Sequence, residues 1–391
     1  MNSKILKITV VYLGGLLTGL SLILYPALGT IFTDSTLFGF SSNQFSSIFI
    51  PQIVLAIFSA LFTPFFVSKL GMKKVLFLGS ISLLLAASLL FLSHYFINNK
   101  AQALGIVYAG ISFLGLGFGL VITVLNPLAL QLFPKNPLAS ISGLHFSLGL
   151  GTAGSPLLVG MLQNPSFWWY LPLLIGILLI VWLVLILFLK LTESENTIAF
   201  ARLKIPLRLW GFIVIVILYG ICEGALGSYG AVFLKEQGFS VKTASFGLAL
   251  FWGSLAFGRI AFGLLSVKFN MKWATLISAL LVGFLFYFIP MSTTANFSII
   301  AMALAGICMS SLFPTNVNWA TGENEKFALM VSGFMVASLQ LGTGMSTNFL
   351  GILSKNYDLD LLFRCIGAIA FCMFVLMWFM EKKKSVSEES K

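Results

Sequence analysis

Ser68-Lys69-Leu70-Gly71-Met72-Lys73 and Val267-Lys268-Phe269-Asn270-Met271-Lys272 stand 199 residues apart and read almost alike, each following two long apolar segments and opening a third. A short basic turn that recurs at the same place in two runs of segments marks a chain built as two similar halves. The surrounding segments are apolar throughout: 59% of the 391 residues are hydrophobic and only 9% are charged. A water-soluble domain carries roughly a quarter of its residues as charges, so a soluble globule is excluded.

A bilayer-spanning helix takes about 20 apolar residues. The chain offers twelve such segments, near 7–32, 43–67, 74–96, 101–133, 137–163, 167–190, 208–234, 240–266, 272–291, 295–320, 326–353 and 359–380. Long continuous runs such as Leu173 to Leu189 read as helices, because barrel strands would alternate polar and apolar residues over about ten positions. The fold class expected is an all-α membrane protein of twelve transmembrane helices in two six-helix bundles.

The formal net charge of +11 does not point to nucleic acid, since the basic residues are spread through loops. They carry topology instead. With both termini in the cytoplasm, 18 of the 23 Lys and Arg fall on the inner side, and only Lys100, Lys235, Lys242, Lys355 and Arg364 on the outer, which is a positive-inside pattern. The expected placement is a multi-pass protein of a bacterial inner membrane. Cys222, Cys308, Cys365 and Cys372 all fall within spans with no metal spacing, and are expected as free thiols. The first apolar run has no small-residue cleavage site and is expected to remain as span 1.

The one sizeable internal loop, 191–207, divides the spans six and six, giving an N-terminal bundle over 1–190, a cytoplasmic linker, and a C-terminal bundle with a short tail over 208–391. Spans 3, 6, 9 and 12 are dominated by Leu, Phe, Ile and Trp. The others carry Pro, Asn, Gln, Ser, Thr, Gly or an ionisable group. Unpaired polar groups in hydrocarbon cost several kcal/mol, roughly, so these helices are expected to turn inward.

The six-plus-six plan, the apolar third helices and the loops after spans 2 and 8 resemble the major facilitator superfamily along nearly the whole chain. In that family the first of these loops usually reads Gly-x-x-x-Asp-Arg/Lys-x-Gly-x-Lys/Arg. Here Lys69, Gly71 and Lys73 match, while Pro64 and Ser68 stand at the first Gly and the Asp. Gly115-Leu116-Gly117 with Asn126-Pro127, Phe313-Pro314-Thr315, and Tyr219-Gly220 with Glu223 and Gly227 are similar to patterns of fucose-permease-like members. The resemblance implies a secondary transporter of a small polar solute, with sugar/proton symport as the group's activity and gating at Lys69, Gly71, Lys73, Arg259 and Lys268. The sugar/proton members carry acids where this chain has Tyr25 and Ile122, so a coupling carboxylate must lie elsewhere. Span 5 partly resembles the Gly-x-x-x-Gly-Pro-x-x-Gly-Gly signature of the family's antiporters through Gly151, Pro156 and Gly160, which keeps export of a metabolite or drug open.

Of twelve acidic residues, only Glu223 lies deep inside a span. An intramembrane acid that meets water from each side in turn can exchange a proton or bind a solute directly; between helices it can instead be a structural hydrogen-bonder. Tyr219 and Gly227, four residues either side, share its helical face. His145 is the one histidine within a polar span and is a second candidate for relaying protons, or a satisfied interhelical bonder. Asn126-Pro127 on span 4 and Phe313-Pro314-Thr315-Asn316 on span 10 read as matched helix breaks, a pointer to a midplane site or simply to curvature. Tyr25, Gln52, Gln340 and Trp252 complete the candidate solute-binding set with Asn126, His145, Tyr219, Glu223 and Asn316. Arg259, nine residues before Lys268, is expected to snorkel to the cytoplasmic interface or to bond helix-end carbonyls.

The sequence holds no Gly-Lys-Ser/Thr, His-Glu-x-x-His or Gly-x-Ser-x-Gly motif, so neither an ATP-driven pump nor an enzyme is expected, and no cofactor or metal. The expected partners are a small-molecule solute, protons as coupling ion and the lipid bilayer, with no nucleic acid, for a protein acting as a monomer. A non-transporting membrane receptor is the reading from another class, although only eleven residues follow Met380.

Overall fold

Backbone N–H and C=O groups in hydrocarbon must be satisfied within the chain, and a helix does this segment by segment. The computed structural model describes residues 3–162, 164–191, 206–239, 241–291, 294–354 and 356–389. Each of the twelve expected spans is a helix: α1 (Ser3–Ala27), α2 (Phe49–Leu70), α3 (Met72–Ser93), α4 (Lys100–Leu130), α5 (Pro137–Gly160), α6 (Tyr170–Phe188), α7 (Leu207–Glu236), α8 (Val241–Leu265), α9 (Lys272–Phe288), α10 (in two pieces, Ala295–Ser310 and Leu312–Gly322), α11 (Ala328–Leu353) and α12 (Leu359–Glu389). Among the described residues there is no strand. Eleven of these segments are long and apolar enough to cross a membrane. The remaining one, α5, has the length at 24 residues but is diluted by Gly, Ser, Thr and His. Residues 192–205 of the expected linker lie outside the described residues.

The two look-alike turns do not fold alike. Gly71 alone separates α2 from α3, at φ 83°, and its N–H bonds the Val67 carbonyl at 2.8 Å. That backbone conformation costs a glycine nothing and other residues a good deal. The second copy has Asn270 at the matching place. It spends six residues between α8 and α9, with Asn270 Oδ1 accepting from the Lys272 N–H at 3.0 Å. The starts of α4 and α10 do correspond. Asn99 Oδ1 caps the Gln102 N–H at 3.2 Å and Thr294 Oγ1 caps the Phe297 N–H at 3.4 Å.

Helix pairing also repeats between halves. α2 packs on α4 as α8 packs on α10, α3 on α6 as α9 on α12, and α1 on α6 as α7 on α12. Small residues bring the backbones together at matching crossings. A Cβ on Gly115 would fall on the Gln52 carbonyl, and one on Gly306 on the Phe251 carbonyl. At α1/α5 one on Gly151 would meet the Leu16 carbonyl, and at α7/α11 one on Gly342 would meet the Ile217 carbonyl. Ser155 Oγ strengthens the α1/α5 crossing by donating to the Leu20 carbonyl at 2.6 Å. Without a hydrophobic drive between helices in lipid, such close approach supplies much of the association. The outer faces are apolar: Leu173, Ile177, Ile180, Val184 and Leu187 on α6, and Trp273, Ile277, Leu281, Phe284 and Phe288 on α9, are exposed.

The chain divides into two compact units, drawn from Met1–Pro134, Ser147–Phe200 and Lys326–Ala337, and from Lys135–Phe146, Ala201–Glu325 and Ser338–Lys391. Two helices therefore change unit partway: α5 between Phe146 and Ser147, and α11 between Ala337 and Ser338. In the first unit the start of α11 meets α2 and α4, where a Cβ on Gly333 would lie against the Ala60 carbonyl and Asn126 Nδ2 donates to Ser332 Oγ at 3.1 Å. In the second unit the start of α5 lies along α8.

The expectation of matched breaks needs correction. α4 runs unbroken through Asn126-Pro127, because Pro127 sits in its last turn, where few bonds remain to lose. Of the two, α10 is interrupted, at Ser311, three residues before Pro314; the expected spans 1 and 2 are also each in two pieces, parted at Leu28 and at Ile48. Four free cysteines are present, as expected.

Replacing Gly342 by Val should overpack the α7/α11 crossing and cost about 1–3 kcal/mol. Gly105→Ala, in an exposed stretch of α4 with open space around it, should instead be neutral or stabilise by up to about 1 kcal/mol through helix propensity. Thermal unfolding in detergent reads both.

Candidate functional site

Glu223 lies near the middle of α7 and is 7% exposed. One turn earlier, Tyr219 donates its hydroxyl to Glu223 Oε1 at 2.8 Å, as helical spacing of four residues allows. Arg259 reaches the same oxygen from α8, with Nη2 at 3.3 Å from Glu223 Oε1 and 3.4 Å from the Tyr219 hydroxyl. Its other terminal nitrogen, Nη1, donates to the backbone carbonyl of His145 on α5 at 3.3 Å. Arg259 is 5% exposed, so it does not snorkel. Six residues short of the end of α8, its nearest counter-charge is inward, at Glu223.

The aromatic surroundings close the cluster. His145 meets Phe313 of α10 edge to face, with centroids 5.0 Å apart and planes at 89°. Phe313 also lies nearly parallel to the Tyr219 ring, at 6.1 Å and 27°. Four helices thus converge: α5, α7, α8 and α10. His145 contributes its backbone carbonyl, while its Nε2, like Arg259 Nε, has no hydrogen-bond partner among the described residues. One turn beyond Glu223 the Trp252 indole rests on Gly227, where a Cβ would come within 2.6 Å of it.

Energetically the ion pair is not a staple. Desolvating each charge costs several kcal/mol, roughly what the attraction returns, so a buried pair contributes little net stability, while deleting one partner alone costs about 3–5 kcal/mol.

The other candidate residues are placed as follows. Gln340, on α11, is buried in the same unit as Glu223. Asn316 bonds the Leu312 carbonyl of its own helix at 2.7 Å and lines a narrow crevice with Arg208 and Trp319. In the first unit, Asn126 is buried against Ser332, with Oδ1 unpartnered among the described residues. Tyr25 is buried with its hydroxyl spent on the Ala86 carbonyl at 2.8 Å. Gln52 is half-buried, its backbone against Gly115. Lys69 is exposed, Gly71 forms the α2/α3 turn, and Lys73 Nζ donates to the Leu187 carbonyl at the end of α6 at 2.6 Å. Lys268 is exposed.

Sequence reasoning passed over Phe313 as a ring, having read it only as part of a helix break. It also did not pair Arg208 with Glu323. These form a two-pronged ion pair, with both nitrogen–oxygen distances 2.8 Å, and Arg208 also donates to the Met380 carbonyl at 3.1 Å. Lys272 and Glu381 pair at 2.9 Å nearby. Together they tie α7, α9, α10 and α12 at the end where α7 begins, beside a cavity of about 200 Å³ lined by Leu138, Lys272, Thr315 and Trp319.

Helix pairs recur between the two halves of the chain, and the second unit holds the buried Glu223–Arg259 pair. The family model described as Major Facilitator Superfamily matches residues 11–323, and the chain belongs to that superfamily. The Uncharacterized MFS-type transporter YcaD of Salmonella paratyphi B is 25% identical over 162 residues, 41% of this chain and 42% of that protein. The match thus spans less than half of that relative's length. Among solved structures, the MFS transporter FucP in the outward conformation superposes with a TM-score of 0.80 at 16% identity, covering 97% of this chain and 99% of that one. The proton:xylose symporter XylE bound to 6-bromo-6-deoxy-D-glucose gives 0.77 at 13% identity, covering 96% and 95%. At such identities the likeness is one of fold.

Arg259→Ala should destabilise the protein by about 3–5 kcal/mol by leaving the Glu223 charge unpaired. The Glu223→Gln/Arg259→Gln double variant should recover most of that loss. Denaturation of the purified variants in detergent measures both.

Proposed function

We propose that this protein is a secondary transporter that moves a small polar solute, a sugar or related metabolite, by alternating access, with Glu223 as the proton-coupling carboxylate. The observation that carries the reading is the buried Glu223–Arg259 pair with Tyr219 on the same oxygen. A carboxylate so placed has two stable states. Ionised, it is matched by Arg259. Protonated, it can still hydrogen-bond the tyrosine or a solute hydroxyl. Membership of the superfamily and the fold shared with FucP and XylE support transport as the activity.

In this reading 1–190 and 208–391 are the two bundles, joined by a cytoplasmic linker at 191–207, in a bacterial inner membrane with both termini in the cytoplasm. Tyr219, Glu223, Trp252, Gln340 and Asn316 line the solute path in one half, and Tyr25, Gln52, Asn126 and His145 in the other. Lys69, Gly71, Lys73, Arg259 and Lys268 act in gating, and the protein works as a monomer. Export of a metabolite or drug is the second reading, favoured by Gly151, Pro156 and Gly160. The close α1/α5 crossing gives Gly151 a packing role as well, whereas Gly160 has open space around it.

The purified protein should be screened for thermal stabilisation by L-fucose, D-xylose, other sugars, amino acids, organic acids, nucleosides and hydrophobic cations at two pH values. A ligand present at 100 times its Kd adds about 2.7 kcal/mol. A sugar that raises the melting temperature, and is then accumulated by proteoliposomes under an inward proton gradient, meets the proposal. Stabilisation only by hydrophobic cations moves the reading to export, and binding without flux makes the protein a receptor. Glu223→Gln should abolish gradient-driven accumulation while keeping exchange of solute; unaltered accumulation removes Glu223 from coupling.

A further inference from the structure

Arg364 stands apart from the other described arginines. Arg208 is answered by Glu323 and Arg259 by Glu223, whereas among the described residues no acid lies within ion-pair distance of Arg364. It sits in the second turn of α12, about 8 Å along the axis from Leu359. Its guanidinium carbon lies 5.9 Å from the centre of the Tyr287 ring, next to the last residue of α9, and its buried Nε has no hydrogen-bond partner among the described residues. The side chain is thus held along α9, half-buried, rather than stretched into water. The surface around it is apolar, with Tyr287, Phe288, Met291 and Leu361 exposed. A cation without a protein counter-charge beside a lipid-facing surface calls for an anion that comes with the lipid.

Asp360 supplies the complement. It precedes Arg364 by one turn on the same side of α12, about 6 Å nearer the start of the helix. Its Oδ1 accepts from Gln237 Nε2 at the end of α7 at 2.5 Å, so this carboxylate is fixed by α7 and not by the arginine. From the middle of α12 towards its start, the surface passes from exposed apolar side chains such as Val375 to the guanidinium and then to the carboxylate. A phospholipid presents acyl chains, phosphate and headgroup base in the same order.

We propose that Arg364, Tyr287 and Asp360 form a binding site for a phospholipid whose phosphodiester is followed by a primary ammonium, a phosphatidylethanolamine. The planar guanidinium takes the phosphate through two N–H groups, while the Tyr287 ring holds it in place. The ammonium, two carbons further out, donates to Asp360. The acyl chains lie on Phe284, Phe288 and Leu361. Charge selects this headgroup. A phosphatidylglycerol would meet the guanidinium but bring no cation to the carboxylate. A phosphatidylcholine would bring a positive charge with no N–H to donate. All of these residues belong to the second unit, and Gln237 lies about 21 Å beyond Glu223 along α7, so the site is independent of the Glu223–Arg259 pair.

The test is lipid binding to the purified, delipidated chain, read by native mass spectrometry with dioleoyl lipids carrying ethanolamine, choline or glycerol headgroups. The expected result is that the tightest-bound lipid is the ethanolamine one, by about tenfold over each of the others, the worth of one hydrogen bond to a charged group. Arg364→Gln should weaken all three and remove the preference. Asp360→Asn, which keeps an oxygen for Gln237, should remove the preference while the glycerol lipid binds as well as before or better. Thermal unfolding in detergent without lipid confirms that each variant is folded, and Asp360→Asn alone decides the matter if Arg364→Gln is not. Equal binding of the three headgroups, tighter binding of the glycerol lipid, or an ethanolamine preference that survives in either folded variant overturns the proposal.

Discussion

A charge inside hydrocarbon has to find its opposite, and in this protein one guanidinium meets that demand for one carboxylate. The requirement organises the second unit. α8 brings Arg259 to Glu223, and Arg259 can reach it because α7 and α8 pack side by side. Arg259 Nη1 then donates to the backbone of α5, and the rings of Phe313 and His145 meet edge to face in the same cluster. Each of these contacts is of ordinary strength. Their dependence on a single pair makes the cluster sensitive to anything that changes its charge.

Around that cluster the scaffold is held by a different means. Glycines at Gly115, Gly151, Gly306 and Gly342 let backbones touch at crossings that correspond between the halves. Lipid offers helices no reward for burying leucine against leucine, so close contact between main chains becomes a principal attraction. The faces of α6 and α9 that are exposed carry large apolar residues, as helices bounded by lipid require. Large side chains such as Trp182, Phe251 and Phe286 are buried as well, so the glycines mark the crossings rather than the whole interior.

Much of the fold was legible in the order of residues because hydropathy and length speak directly to a bilayer; all twelve segments are helices. Local geometry was less legible. Two six-residue stretches that share two Lys and a Met, around Gly71 and Asn270, fold into a one-residue turn and a six-residue loop, since of the two only the glycine adopts the positive φ that the tight reversal needs. Proline could be seen in α4 and α10, but its consequence depended on distance from the helix end, which periodicity does not resolve. The site was legible on α7, where Tyr219 and Glu223 are joined by helical spacing. It was not legible across helices. Arg259 has two possible directions from its place on α8, towards the interface or towards the interior, and the choice depends on a partner 36 positions away. For His145 the ring drew attention while the carbonyl makes the bond, and a backbone atom leaves no trace in a sequence.

The lengths of the helices carry one more meaning. At 1.5 Å per residue, the 19 residues of α6 reach about 28 Å, close to the thickness of a hydrocarbon core, while the 31 of α4 reach about 46 Å. The long helix can accommodate a thicker bilayer by tilting. The short one has no such reserve, and with its apolar side chains turned outward it obliges the lipids beside it to match its own height. α6 is therefore a gauge for the membrane: lipids with longer chains must compress along that face, and the strain falls on the helix that holds the Lys73 ammonium at its end.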